Sequence, residues 1–91
     1  MEKQIWKFEV SWNETTIRIP KDAEILTMQL QNGKRCFWAL VNPKNEYELR
    51  YFEIYGTGHP IYYDMGITRK YIGTFQLEDG LYVFHLFERI D

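Results

Sequence analysis

The chain has 91 residues, 18% of them aromatic, and eleven basic against thirteen acidic side chains give a formal net charge of −2. That length holds one domain, residues 1–91; sixteen rings exclude a disordered chain, and the negative balance offers no field to draw in duplex DNA. The single Cys36 excludes an intrachain disulfide and a cysteine-rich zinc site and fits a reducing compartment, while no apolar run approaches a membrane span, so the expectation is a cytoplasmic protein with no membrane contact.

In chain order, Trp6, Phe8, Val10 and Trp12 alternate with Lys7, Glu9 and Ser11, the period of a half-buried strand. Asn13-Glu14 supplies a turn, and Thr15 to Ile19 alternates again up to Pro20, so these two runs are expected to pair as a hairpin. Lys21-Asp22-Ala23-Glu24 reads as a connector of one helical turn. Runs Ile25–Gln31 and Lys34–Val41 flank Asn32-Gly33, a hairpin signal because both residues tolerate positive φ. A two-residue loop there sets Met28 opposite Phe37 and Leu26 opposite Ala39 on a dry face, with Gln29 opposite Cys36 and Thr27 opposite Trp38 on a mixed one. Asn42-Pro43-Lys44-Asn45 is a turn before a fifth strand, Tyr47–Tyr55, after which a loop opens at Gly56 and runs to about Thr68. Tyr71–Leu77 and Leu81–Glu88 form a last hairpin at Asp79-Gly80, in which a two-residue loop places Thr74 opposite His85 and Phe75 opposite Phe84, and a bulged three-residue loop would shift that pairing by one. Seven short antiparallel strands built from hairpins, with no amphipathic helix, predict an all-β sandwich or partly open barrel.

Gly56-Thr57-Gly58-His59-Pro60 is the leading candidate site. Glycine lets backbone approach a ligand, proline fixes the exit, and histidine can donate, accept or titrate. Phosphate-binding fingerprints need a following helix and further glycine or lysine, which are absent. What remains is an anion-binding concavity beside Arg69 and Lys70, set against a turn whose glycines serve geometry alone. His59 and His85 lack acidic or thiolate partners at ligand spacing, so no metal is expected. In a strand apolar on both faces, His85 reads as a buried histidine bonded to Thr74 or a carbonyl rather than as a catalyst. Ser11, the only serine, has no nucleophile elbow around it. Gln29, Gln31 and Trp38 place amides beside a ring, a pattern that reads planar ligands and also suits an ordinary wet face. Tyr62-Tyr63-Asp64 has the composition of a protein contact or simply of a loop.

Ile5-Trp6-Lys7, Trp38-Ala39-Leu40-Val41, Gly56-Thr57-Gly58-His59-Pro60, Tyr71-Ile72-Gly73-Thr74-Phe75-Gln76 and Val83-Phe84-His85-Leu86-Phe87-Glu88 occur in the order seen in a family of small phage- and prophage-encoded proteins carried as a domain of unknown function, which the chain resembles along nearly its whole length. The resemblance transfers no catalytic residue, and Gly56–Pro60 and Phe84-His85 fall in its recurrent segments. It implies a phage accessory protein that acts by binding.

The resulting expectation is a non-enzymatic, cofactor-free protein that counters bacterial defence by sequestering a small nucleotide-like signal, in a pocket of one chain or of a homo-oligomer. Trp38 or Tyr62 would stack on a base, Gln29 or Gln31 would read its edge, and Gly58, His59 and Arg69 would hold phosphate. The alternatives are a protein inhibitor of a host defence enzyme, such as a CRISPR nuclease, contacting through Tyr62, Tyr63 and Asp64, and a structural phage protein.

Overall fold

The computed structural model describes residues 2–13, 15–62 and 66–90. The turn residue Glu14 and the candidate contacts Tyr63 and Asp64 lie outside them. Seven strands form: β1 (Gln4–Glu9), β2 (Thr16–Pro20), β3 (Glu24–Gln31), β4 (Lys34–Val41), β5 (Tyr47–Gly56), β6 (Thr68–Leu77) and β7 (Tyr82–Ile90). A three-stranded sheet, ordered β1-β4-β3, packs on a four-stranded sheet, ordered β2-β5-β7-β6, and all pairings are antiparallel. The sheets do not close into a barrel, and the fold is a sandwich.

The interior follows from strand alternation. Val10, Ile19, Met28, Phe37, Ala39, Val41, Phe52, Phe75 and Leu86 are all buried between the sheets. Phe37 of one sheet meets Phe52 of the other with ring centroids 4.8 Å apart, and such aromatic pairs dominate a small core. On one flank β6 runs so close to β3 that a Cβ on Gly73 would stand 2.7 Å from the Met28 Cγ. One charged pair enters this interior. Glu88, 4% exposed, accepts bidentately from Arg50 Nε and Nη2, and Arg50 Nη1 donates to the Ala23 carbonyl at 2.6 Å. Bonding to Glu88 holds the Arg50 guanidinium above its ordinary pKa against the opposing cost of burial.

Several sequence expectations need correction. The first two strands do not form a hairpin: β1 pairs with β4, matching Trp6 to Ala39 and Phe8 to Phe37, and β2 pairs with β5. Alternation reports which face is buried, not which strand is the neighbour. The first strand stops at Glu9; the Val10 N–H donates to the Arg35 carbonyl, Arg35 Nε donates back to the Val10 carbonyl, and the chain crosses to the other sheet. Trp12 therefore sits at the end of the sandwich against Phe75 and Phe84, with the Arg35 guanidinium 4.4 Å from its ring centroid. Lys21–Glu24 contains no helical turn. Asp22 adopts φ 64°, its N–H donates to Glu48 Oε2, and the Lys21 N–H donates to the Glu46 carbonyl.

The Asn32-Gly33 hairpin forms as expected, with Met28 opposite Phe37, Gln29 opposite Cys36 and Thr27 opposite Trp38. Leu26 does not face Ala39. A bulge between Ile25 and Thr27 gives that place to Ile25 and leaves Leu26 42% exposed. The last hairpin keeps the expected pairs Thr74–His85 and Phe75–Phe84, but its loop spans Glu78 to Leu81, with positive φ at Glu78, Asp79 and Gly80.

Candidate ligand-binding face

The register fixes which side chains leave the four-stranded sheet. Phe52, Phe75 and Leu86 are buried, so the residues out of phase with them point away from the core. On β5 these are Tyr47, Leu49, Tyr51, Glu53 and Tyr55; His85, Phe87 and Arg89 follow on β7, and Arg69, Tyr71 and Thr74 on β6. Arg18 of β2 lies over the Tyr47 ring, 4.9 Å from its centroid. Phe87 is flanked by Tyr55 and Tyr71 in edge-on contacts, at centroid distances of 5.9 and 5.6 Å. Among the described residues three arginines and one carboxylate share this face, on a chain whose net charge is negative.

The long loop belongs to the same face. Gly56 pairs with Phe84 at one end of β7, whereas Thr68 pairs with Ile90 at the other, so β5 and β6 run parallel and the intervening chain must travel back along the sheet. Arg69 anchors it, donating from Nη1 to the Tyr62 carbonyl at 3.1 Å and from Nε to Glu53 Oε1 at 2.7 Å. Burial, and then the Glu53 carboxylate, raises the Tyr55 phenol above its ordinary value.

Between loop and sheet runs a chain of polar groups. Tyr71 Oη lies 2.5 Å from Thr74 Oγ1, Thr74 Oγ1 lies 2.9 Å from His85 Nδ1, and His85 Nε2 lies 2.7 Å from Thr57 Oγ1. Thr57 also donates its N–H, at 3.0 Å, and its hydroxyl, at 3.3 Å, to the Val83 carbonyl. His85 is thus bonded to Thr74, as expected, but it is half-buried on the outer face rather than enclosed. Gly56–Pro60 and Phe84-His85, far apart in sequence, meet through Thr57.

The candidate residues otherwise divide. In the loop the His59 N–H donates to the Gly56 carbonyl, and the imidazole occupies the place of a Gly56 Cβ, whose ideal position lies 2.6 Å from the ring. Gly58 takes φ 85°, and Gly58, His59 and Pro60 are exposed. The Thr57 and His59 amides are bonded internally, and Arg69 Nε donates to Glu53. The loop borders a shallow cleft of about 220 Å³, lined by Gly56, Thr57, His59 and Leu81–Phe84. Tyr62 is 73% exposed, and Lys70, though exposed, pairs with Glu88 and so lies out of phase with Arg69 and Tyr71.

Trp38, Gln29 and Gln31 lie on the outer face of the other sheet, across the sandwich from Arg69 and Tyr71, so one chain does not gather both groups into one pocket. There Gln31 Oε1 accepts from Lys7 Nζ across β4, Lys34 lies 3.9 Å from Glu9, and Cys36 is buried. Among the described residues no cluster of three or more metal-ligating side chains occurs, and no helix is long and apolar enough to cross a membrane.

Sequence reasoning passed over Tyr55, Tyr71, Phe87 and Glu53. A signal was present: Tyr47–Tyr55 carries large apolar side chains in both phases, Tyr47, Leu49 and Tyr51 in one and Phe52 and Ile54 in the other, which means that both faces of the strand are coated.

Over residues 1–91 the chain matches the family model of a domain of unknown function, DUF7352, and it belongs to that family. No curated protein and no solved structure matches it.

Proposed function

We propose that the protein is a non-catalytic binding protein that captures a nucleotide-like ligand on the outer face of its four-stranded sheet. The observation carrying this reading is the coincidence, on one face, of exposed rings, arginines and an ordered hydroxyl–imidazole chain. Rings stack on planar groups, arginine complements phosphate, and fixed polar groups read a base edge. The site includes Thr57 and Arg69 and replaces Trp38, Gln29 and Gln31 with Tyr55, Tyr71 and Phe87. A second copy of the chain laid against this face would cover the ligand from its other side. In the phage setting implied by the resemblance, such capture would withdraw a host immune signal; that setting rests on the resemblance alone.

Thermal melts against cyclic dinucleotides, ADP-ribose derivatives and mononucleotides test the reading, since a ligand selective for the folded state raises Tm by mass action. The expected result is a shift with at least one of them that Tyr71→Ala abolishes. A flat panel contradicts it. A second reading, docking of a host defence protein, draws on the row Tyr47, Leu49 and Tyr51, each between 44 and 55% exposed. It predicts a flat panel and a co-purifying protein released by Leu49→Ser.

A further inference from the structure

The outer-face hydrogen-bond chain has a polarity, and the polarity follows from its last member. The Val83 carbonyl can only accept, so the Thr57 hydroxyl proton is directed to it. Thr57 Oγ1 then accepts from His85, which requires the proton on Nε2. In a neutral imidazole Nδ1 is consequently an acceptor, so Thr74 donates to it, and Thr74, its own proton used, accepts from Tyr71 Oη. The opposite tautomer makes Thr57 donate to Nε2 and leaves its contact with Val83 as oxygen against oxygen without a proton between them. Only the first arrangement satisfies all four contacts.

We infer that this relay makes Tyr71 a specificity-determining residue. Its phenol proton is held inward, so the hydroxyl of a side chain 55% exposed presents only lone pairs to an incoming group. The group read there is a hydrogen-bond donor, such as the exocyclic amine of an adenine-like base stacked against Tyr71 and Phe87. The inference rests on the nucleotide reading above and narrows its ligand class. A proton on Nδ1 as well would reverse only the Nδ1–Thr74–Tyr71 half of the chain, so that Thr74 donates to Tyr71 and the phenol proton faces outward, while the bonds to Thr57 and Val83 keep their direction. The titratable and charged groups around the imidazole on this face are Tyr55 and Glu53 of β5, Arg69 and Tyr71 of β6 and Arg89 of β7, with His59 on the adjoining loop.

Two measurements on the whole protein separate the relay from the ligand reading. Nitrogen-15 NMR of neutral His85 is expected to show the Nε2–H tautomer, and an Nδ1–H tautomer overturns the relay whatever the protein binds. Binding is then compared for AMP and for purine riboside monophosphate, which lacks the amine and keeps the ring nitrogens. Wild type is expected to prefer AMP by roughly three- to tenfold, the effect of one hydrogen bond, and Tyr71→Phe, which retains the ring, is expected to erase that preference. Equal binding of the two by wild type overturns the specificity role. Failure of both to bind, with Nε2–H observed, overturns the assigned ligand class and the nucleotide reading together while the relay geometry stands.

Discussion

The two outer faces of the sandwich are built from the same alternation and finish differently. On the three-stranded sheet Lys7 reaches Gln31 across β4 and Lys34 lies near Glu9, so long polar side chains bridge the strands over a buried Cys36. On the four-stranded sheet the equivalent positions hold Tyr47, Leu49, Tyr51 and Tyr71, between 44 and 55% exposed, and the polar groups form an ordered chain. The first face satisfies its own polar groups with flexible side chains. The second leaves rings facing outward, an arrangement suited to a contact surface.

Interior changes should break both faces together and have the largest effects. Glu88→Ala leaves the Arg50 guanidinium without its buried partner, and a loss of about 3–5 kcal/mol is expected in denaturant unfolding. Phe37→Ala, which removes the ring against Phe52, should cost a similar ~3–5 kcal/mol. At the flank where the sheets close, Gly73→Ala forces the Met28 side chain away from a Cβ that would lie 2.7 Å from its Cγ. About 1–3 kcal/mol is expected there, the usual cost of overpacking.

Surface changes sharpen the contrast. Tyr51→Ala and Gln29→Ala, one on each face, should each alter stability by no more than about 0.5 kcal/mol, while only the first weakens binding. Lys7→Ala removes the bridge across β4 and should speed reaction of Cys36 with a thiol reagent at nearly unchanged stability. The smallest effect is an alkaline one. Because the Tyr55 phenol is raised in the folded protein above its ordinary 10.0, the folded state holds its proton more tightly than the unfolded one, and stability falls as pH rises past that value. Tyr55→Phe should flatten this part of the pH–stability curve.

The sequence made the strands and the later hairpins legible because their signals are local. Asn32-Gly33 specifies positive φ, and alternation marks buried faces. Pairing of β1 with β4 and of β2 with β5 was not legible, since a strand's apolar phase is compatible with any neighbour whose phase matches. The bulge at Leu26 left no residue-type mark, and it moved the register by one. The composition of Gly56–Pro60 marked a glycine-bearing loop, but its join to His85 through Thr57 depends on the pairing of β5 with β7. Trp38, Gln29 and Gln31 shared a polar-aromatic pattern with the proposed binding face, and only the sheet order separates them from Arg69.

The most direct test of the four-stranded sheet's outer face as the binding surface is a ligand-induced melting shift compared among wild type, Tyr71→Ala and Gln29→Ala, for a nucleotide that stabilises the wild type. The shift is expected to be lost in Tyr71→Ala and kept in Gln29→Ala. A shift kept in Tyr71→Ala and lost in Gln29→Ala would contradict it and move the site to the three-stranded sheet.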